Sequence, residues 1–256
     1  MRDDAHMGIK DDLGTPMEVG SIERVVSLVP SLTESVAATR PDVLVGATEW
    51  CTHPASLDVP RVRGTKNPDL AAIRDLRPDV VLANKEENRE IDVRRLRDSG
   101  VAVWVTVTES VPEALESLTR MFTECLRWDI PDWLTEAHEL WGEPMPPARA
   151  RTVIPIWRDP WMVVGSSTFT GDLVRRLGVV NAFDDHPGRY PHMELTEIHA
   201  ADPDVVLLPD EPYTFTADDG PEAFPDHRTV LVEGRLLTWY GPSLVEAARA
   251  LPQALF

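Results

Sequence analysis

Short apolar runs punctuate the chain from residue 25 onward, most of them rich in valine and apolar at consecutive positions. The runs are Val25–Val29, Val43–Ala47, Val80–Ala83, Val101–Val107, Thr152–Ile156, Trp161–Val164, Val205–Leu208 and Val230–Val232. Consecutive burial of this kind marks strands covered on both faces, as in parallel sheets. Between the runs, spacings of three and four predict helices over Leu70–Leu76, Ile91–Ser99, Gly171–Leu177 and Leu195–Ala201. Strand and helix alternate, which is the pattern of a doubly wound α/β sheet.

The pattern is written twice. Leu70-x-x-Ile73-x-x-Leu76-Arg-Pro78-Asp79-Val80-Val81-Leu82 matches Leu195-x-x-Ile198-x-x-Ala201-Asp-Pro203-Asp204-Val205-Val206-Leu207 at a constant offset of 125. Each copy is a helix halted before proline and followed by a buried strand. A weaker echo pairs Val25-Val26-Ser27, and the helix from Ser31, with Val163-Val164-Gly165 and the helix from Thr170. The repeat predicts two similar lobes. Pro112–Trp128, apolar at Leu115, Leu118, Met121, Phe122 and Leu126, predicts an amphipathic helix between them. It is about 25 Å long at the helical rise. Asp129-Ile130-Pro131 breaks it, and Trp133–Trp141 continues as a second helical piece. The expected division is a loosely ordered 1–20, a first lobe 21–109, a helical connector 110–147 and a second lobe 148–256.

Composition narrows the function. The 256 residues carry 25 basic and 43 acidic side chains, a net charge of −18. That excludes affinity built on phosphate contacts, and with it DNA, RNA and anionic membrane surfaces as partners. The longest apolar run, Val101–Val105, is far short of the ~20 residues of a membrane-spanning helix. Cys51 and Cys125 are too few for a disulfide framework. The first twenty residues hold five acids and no apolar stretch of signal-peptide type, which predicts a cytoplasmic location, or a periplasmic or extracellular one only if a leader has been removed.

Ligands of open parallel sheets bind beyond the carboxyl ends of the strands. The residues just past the apolar runs therefore form the candidate site: Trp50; Glu86, Glu87 and Asn88; Trp157 and Arg158; Glu211 and Tyr213; and, near the end, Trp239 and Tyr240. Flat aromatic walls with a few polar anchors suit a large planar or macrocyclic ligand held between the lobes. His53 and His227 are candidate axial ligands to a metal carried by that ligand. No HExxH, GxSxG or P-loop motif is present. Ser31 with Glu34 three residues later reads as a capping box. Glu86, Glu87, Asp159, Glu211 and His227 would supply acid–base groups to an alternative, a cytoplasmic enzyme or sensor using the same cleft for a polar small molecule.

The order Arg24-Val-Val-Ser-Leu-Val-Pro-Ser-Leu-Thr-Glu34, Val45-Gly-Ala-Thr48, Pro60-Arg-Val-Arg-Gly64, Asn67-Pro-Asp-Leu70 and Leu76-Arg-Pro-Asp-Val-Val81 resembles the iron-siderophore and vitamin B12 class of ABC-transporter substrate-binding proteins. The resemblance continues through Asp172–Gly178, Leu195-Thr-Glu197 and Asp202–Val206, and covers roughly 22–256. It implies two Rossmann-like lobes with parallel sheets joined by a long helix, the class III periplasmic-binding-protein arrangement. It also implies a non-catalytic protein with no intrinsic cofactor whose ligand is a metal chelate: corrinoid, haem or siderophore complex. Permease-docking members carry an exposed glutamate on each lobe. Those places fall near Ala71 and Thr196, with Asp69, Glu194 and Glu197 close by. With no leader in view, this leaves an ABC permease partner in doubt.

Overall fold

A computed structural model describes residues 8–18 and 20–256. The chain forms two compact units. The first holds the residues up to Thr108 together with Ala114–Thr135, and the second holds Glu109–Glu113 with Glu136–Phe256. The segment expected as a connector does not stand apart as a third body; it is divided between the two units.

Each unit is built on a four-stranded parallel sheet. In the first the order is Leu44–Ala47, Val25–Ser27, Val80–Asn84, Val103–Thr106. In the second it is Val179–Asn181, Ala150–Val153, Val205–Pro209, Thr229–Val232. Parallel neighbours require crossovers, here helices that cover both faces and make the strands apolar throughout. Val26, Ile73, Val81, Leu96 and Val105 belong to the core of the first unit. Val153, Trp161, Ile198, Val206, Phe215 and Phe224 belong to that of the second.

The 125-residue repeat is structural. Helices Leu70–Asp75 and Leu195–Ala200 bury Ile73 and Ile198 and lead into Val80–Asn84 and Val205–Pro209. Both turn through a left-handed residue before the proline, Arg77 and Asp202, each at φ +46°. Asp79 accepts the Arg24 N–H at 2.8 Å, and Asp204 accepts the Arg151 N–H at 2.7 Å. The Arg24 Nε donates to Leu76 O, and the Arg151 Nε to Ala201 O, each at 3.1 Å. These bonds equate Val25–Ser27 with Ala150–Val153. The weaker echo with Val163-Val164-Gly165 is therefore corrected, while helix Phe169–Arg176 does hold the place of helix Pro30–Ala37.

The reason lies in a hairpin. The expected strand Thr152–Ile156 ends at Val153, and Pro155–Trp157 turns back antiparallel on Met162–Val163, outside the parallel sheet. Val179–Asn181, directly after Gly178, is an edge strand too short to show a periodicity. Ser31 is not a cap: the first helix starts at Pro30 behind Val29, and its eight residues are all buried. Proline suits a first helical position because its missing N–H has no intrahelical partner there anyway.

The connector follows its sequence closely. Helix Val111–Arg120 widens into a π-helical turn, Met121–Leu126, which ends at Arg127 with φ +57°. The wide turn keeps Met121, Phe122, Cys125 and Leu126 all buried. After the break, Asp132–Trp141 is helical.

Of the stretch 1–20 expected to be loose, residues 1–7 and 19 lie outside the described residues. The remainder is a hairpin, Ile9–Lys10 against Pro16–Met17. Asp11, fully buried, pairs with Arg97 at 2.5 Å, and Asp12 pairs with Arg120 at 2.6 Å. Apolar pattern was absent here because polar groups fasten the segment.

Candidate ligand-binding site

The carboxyl ends of each sheet gather most of the residues expected there. In the first unit, Trp50 comes after strand Leu44–Ala47 and is 65% exposed. It packs beside Gly64, where a Cβ would meet the Trp50 Nε1 at 3.2 Å. The next residue is fully buried: the Cys51 thiol takes the Thr33 hydroxyl at 3.0 Å and contacts the Thr48 hydroxyl at 3.1 Å. Burial pushes its pKa up, so it is an inert thiol. His53 is half-buried, with Nδ1 3.2 Å from the Thr52 hydroxyl.

Beyond strand Val80–Asn84 the loop is held by two asparagines. The Asn84 Oδ1 accepts the N–H groups of Glu86 and Glu87, at 2.8 and 3.3 Å. The Asn88 Oδ1 accepts the Asn84 N–H at 2.9 Å, and its Nδ2 donates to Thr65 O at 3.0 Å. Asn88 is buried and its side chain is committed to this brace, which corrects its assignment as a ligand contact. Glu86 is exposed and Glu87 half-buried, so both residues reach the surface of the strand-end loop.

In the second unit the hairpin carries Trp157 at its tip, 43% exposed, with Tyr213 edge-on at 5.6 Å. The Tyr213 hydroxyl donates to Asp219 at 2.6 Å. That bond, with burial and the Asp219 charge, raises the phenol above its ordinary value. Arg158 binds Asp219 and, at 2.7 Å, Glu222. Its guanidinium carbon lies 5.2 Å from the centre of the Trp161 ring. Glu222 is held below the usual carboxylate range, first by Arg158 and then by the Gly220 N–H.

The loop that supplies Asp219 and Glu222 is anchored from beneath. Phe215 stacks on Trp161 at 6.0 Å, and Phe224 meets the same ring edge-on at 5.3 Å. Gly220 turns at φ +128° against Phe215, where a Cβ would come within 2.7 Å of the ring. Sequence reasoning missed Asp219 and Glu222. The signal was the Asp218-Asp-Gly220 turn some ten residues beyond a strand end.

Three expectations are corrected. Trp239 and Tyr240 come after helix Gly234–Thr238 and are buried, not wall residues. Trp239 donates to Glu211 at 2.6 Å and so ties that carboxylate inward, while Tyr240 lies against Phe169. His227 precedes strand Thr229–Val232, at the amino end of the sheet. There it stacks on His199 at 5.3 Å, on the edge opposite the candidate site. Among the described residues no group of three or more His, Cys, Asp or Glu side chains is arranged to hold a metal ion. A groove of about 740 Å³ in the first unit, lined by Arg40, Arg127, Trp128 and Trp133 among others, sits at the far end of helix Pro30–Ala37, away from the strand carboxyl ends.

No family model matches the chain. The chain is similar to the vitamin B12-binding protein of Pectobacterium carotovorum, with 23% identity over 199 residues, 74% of this chain and 72% of the relative. It is similar to an ABC transporter substrate-binding lipoprotein of Bacillus subtilis, with 24% identity over 256 residues, 91% of this chain and 80% of the relative. Its fold matches the periplasmic vitamin B12-binding protein of Vibrio cholerae at a TM-score of 0.72, with 18% identity over 91% of this chain and 96% of that one. It matches the periplasmic haem-binding protein of Roseiflexus sp. RS-1 at 0.73, with 21% identity over 92% and 99%.

The chain thus resembles the iron-siderophore and vitamin B12 class of ABC-transporter substrate-binding proteins, and its fold is that of class III periplasmic binding proteins. These proteins bind their ligands without transforming them, in line with the non-catalytic expectation. The cytoplasmic location is overturned, because the Bacillus subtilis relative is a lipoprotein by name and the Vibrio cholerae and Roseiflexus proteins are periplasmic by name. The doubt cast on an ABC permease partner finds no support either.

Proposed function

We propose that this protein binds a metal chelate of the corrinoid or haem kind as the substrate-binding component of an ABC importer. The observation that carries the reading is Trp157. A flat indole stands 43% exposed where a parallel sheet presents its ligands, fixed edge-on by Tyr213, which is in turn held by Asp219. Trp50 gives the first unit a second exposed indole at the corresponding strand ends. The names of the relatives, vitamin B12-binding and haem-binding, supply the ligand classes.

The test is a fluorescence titration with cyanocobalamin, cobinamide, haemin and a ferric hydroxamate siderophore. Saturable quenching by one class is expected. Trp157→Ala should weaken that ligand about tenfold, the cost of losing a central aromatic contact. Flat titrations with all four would sink the reading.

A further inference from the structure

The second unit's strand-end face has a distinctive charge arrangement. Arg158 is the sole basic residue of the hairpin, and the stretch 205–222 has no lysine or arginine at all. Arginine is the side chain best shaped to hold a carboxylate-bearing ligand, through its planar fork. Here its charge is met on one side, because both hydrogen bonds to carboxylates leave the same nitrogen. The Arg158 Nη1 is shared by Asp219 and Glu222, its Nε lies 3.7 Å from Asp159, and its face covers Trp161.

Both carboxylates are themselves fixed. The second Asp219 oxygen accepts the Tyr213 hydroxyl, and the second Glu222 oxygen accepts the Gly220 N–H at 2.5 Å. Arg235, the first basic residue past strand Thr229–Val232, is tied to Glu233 and Glu246. Beside Trp157, Arg158 is therefore surrounded by three acids, Asp159, Asp219 and Glu222.

We propose that Asp219 and Glu222 set the charge specificity of this face. By offsetting the charge of Arg158 they make it accept chelates with a neutral or cationic rim and reject those whose rim carries carboxylates. The inference rests on the chelate-binding reading above and adds to it the property that selects within the class. Like charges brought together across a contact are costly, and the cost is screened by salt.

The experiment compares ligands with the same ring and different rims. Cobinamide, with an amide rim, is set against cobyrinic acid, with a carboxylate rim; haemin dimethyl ester is set against haemin. Tryptophan quenching gives each affinity. The native protein should favour the uncharged-rim member of the pair it binds by about tenfold at low ionic strength, with the gap narrowing as salt rises.

In Asp219→Asn with Glu222→Gln, Arg158 is released and the carboxylated member should gain about tenfold relative to its partner. Adding Arg158→Gln should remove that gain. A gain of binding cannot come from misfolding, and near-ultraviolet circular dichroism checks the variants. Glu222→Gln alone should move the ratio in the same direction. Equal native affinities within a pair, or a ratio unmoved by the double variant, would overturn the charge-specificity proposal while leaving chelate binding intact. No binding of any of the four would instead overturn the chelate reading on which it rests.

Discussion

Tyr213 and Glu222 share one network yet respond to opposite ends of the pH scale. The phenol is raised by its bond to Asp219, so its contribution to stability is present below the ordinary 10.0 and lost as pH climbs through the folded value. Glu222 is lowered by Arg158, so its contribution is present above the ordinary 4.5 and lost as pH falls through the folded value. Glu222→Gln should accordingly flatten the acid limb of a plot of Tm against pH. Tyr213→Phe should flatten the alkaline limb. Swapped effects would contradict the hydrogen bonds described. Cys51 and Cys125 are both buried with raised pKa values, desolvation being the first cause in each. Neither should react with iodoacetamide in the folded protein, and both should in urea, as intact mass would show. At this scale the sequence revealed which residues come just after strands, hence Trp50, Trp157, Arg158 and Tyr213. It could not reveal that Asn88 turns inward, or that Trp239 sits behind a helix, because both depend on contacts made by residues far away in the chain.

At the scale of elements, the loop 213–222 and the connector are the two pieces that local pattern describes unequally. The connector was legible because a buried face repeats over four turns, and its break was signalled by Pro131. Phe122 lies in the π turn and supports Trp133 edge-on at 5.9 Å and Trp128 at 6.1 Å. Phe122→Ala should cost about 3–5 kcal/mol in chemical denaturation, the usual range for an aromatic lost from a core. The hairpin Pro155–Val163 was not legible, because an apolar run reads alike whether its strand joins a parallel sheet or folds back on itself. The loop 213–222 carries no periodicity and is shaped by Gly220 beneath Phe215. Gly220→Ala puts a Cβ into that ring at an unfavourable φ and should lower Tm while weakening chelate binding. Unchanged Tm would show that the turn tolerates a side chain.

For the whole molecule, the duplicated helix–proline–strand phrase carried the fold. It repeats at one offset, and the same phrase generates the same stitch between an arginine N–H and an aspartate in both units. Charge is the other global property. At −18 the protein should be least soluble near its pI of about 4.7, measurable as a turbidity maximum across a pH series. The cytoplasmic reading rested on the first twenty residues alone, and the periplasmic and lipoprotein names of the relatives overturn it. The terminal hairpin bears on how the molecule would take load. Asp11 and Asp12 clamp it to Arg97 on one helix and Arg120 on another. A pull on a tether at Gly8 would load these two ion pairs together with the Asp12 N–H bond to Val105 O on the edge strand of the sheet. In a single-molecule stretching trace, that clamp should yield first, as a small early rip sensitive to salt.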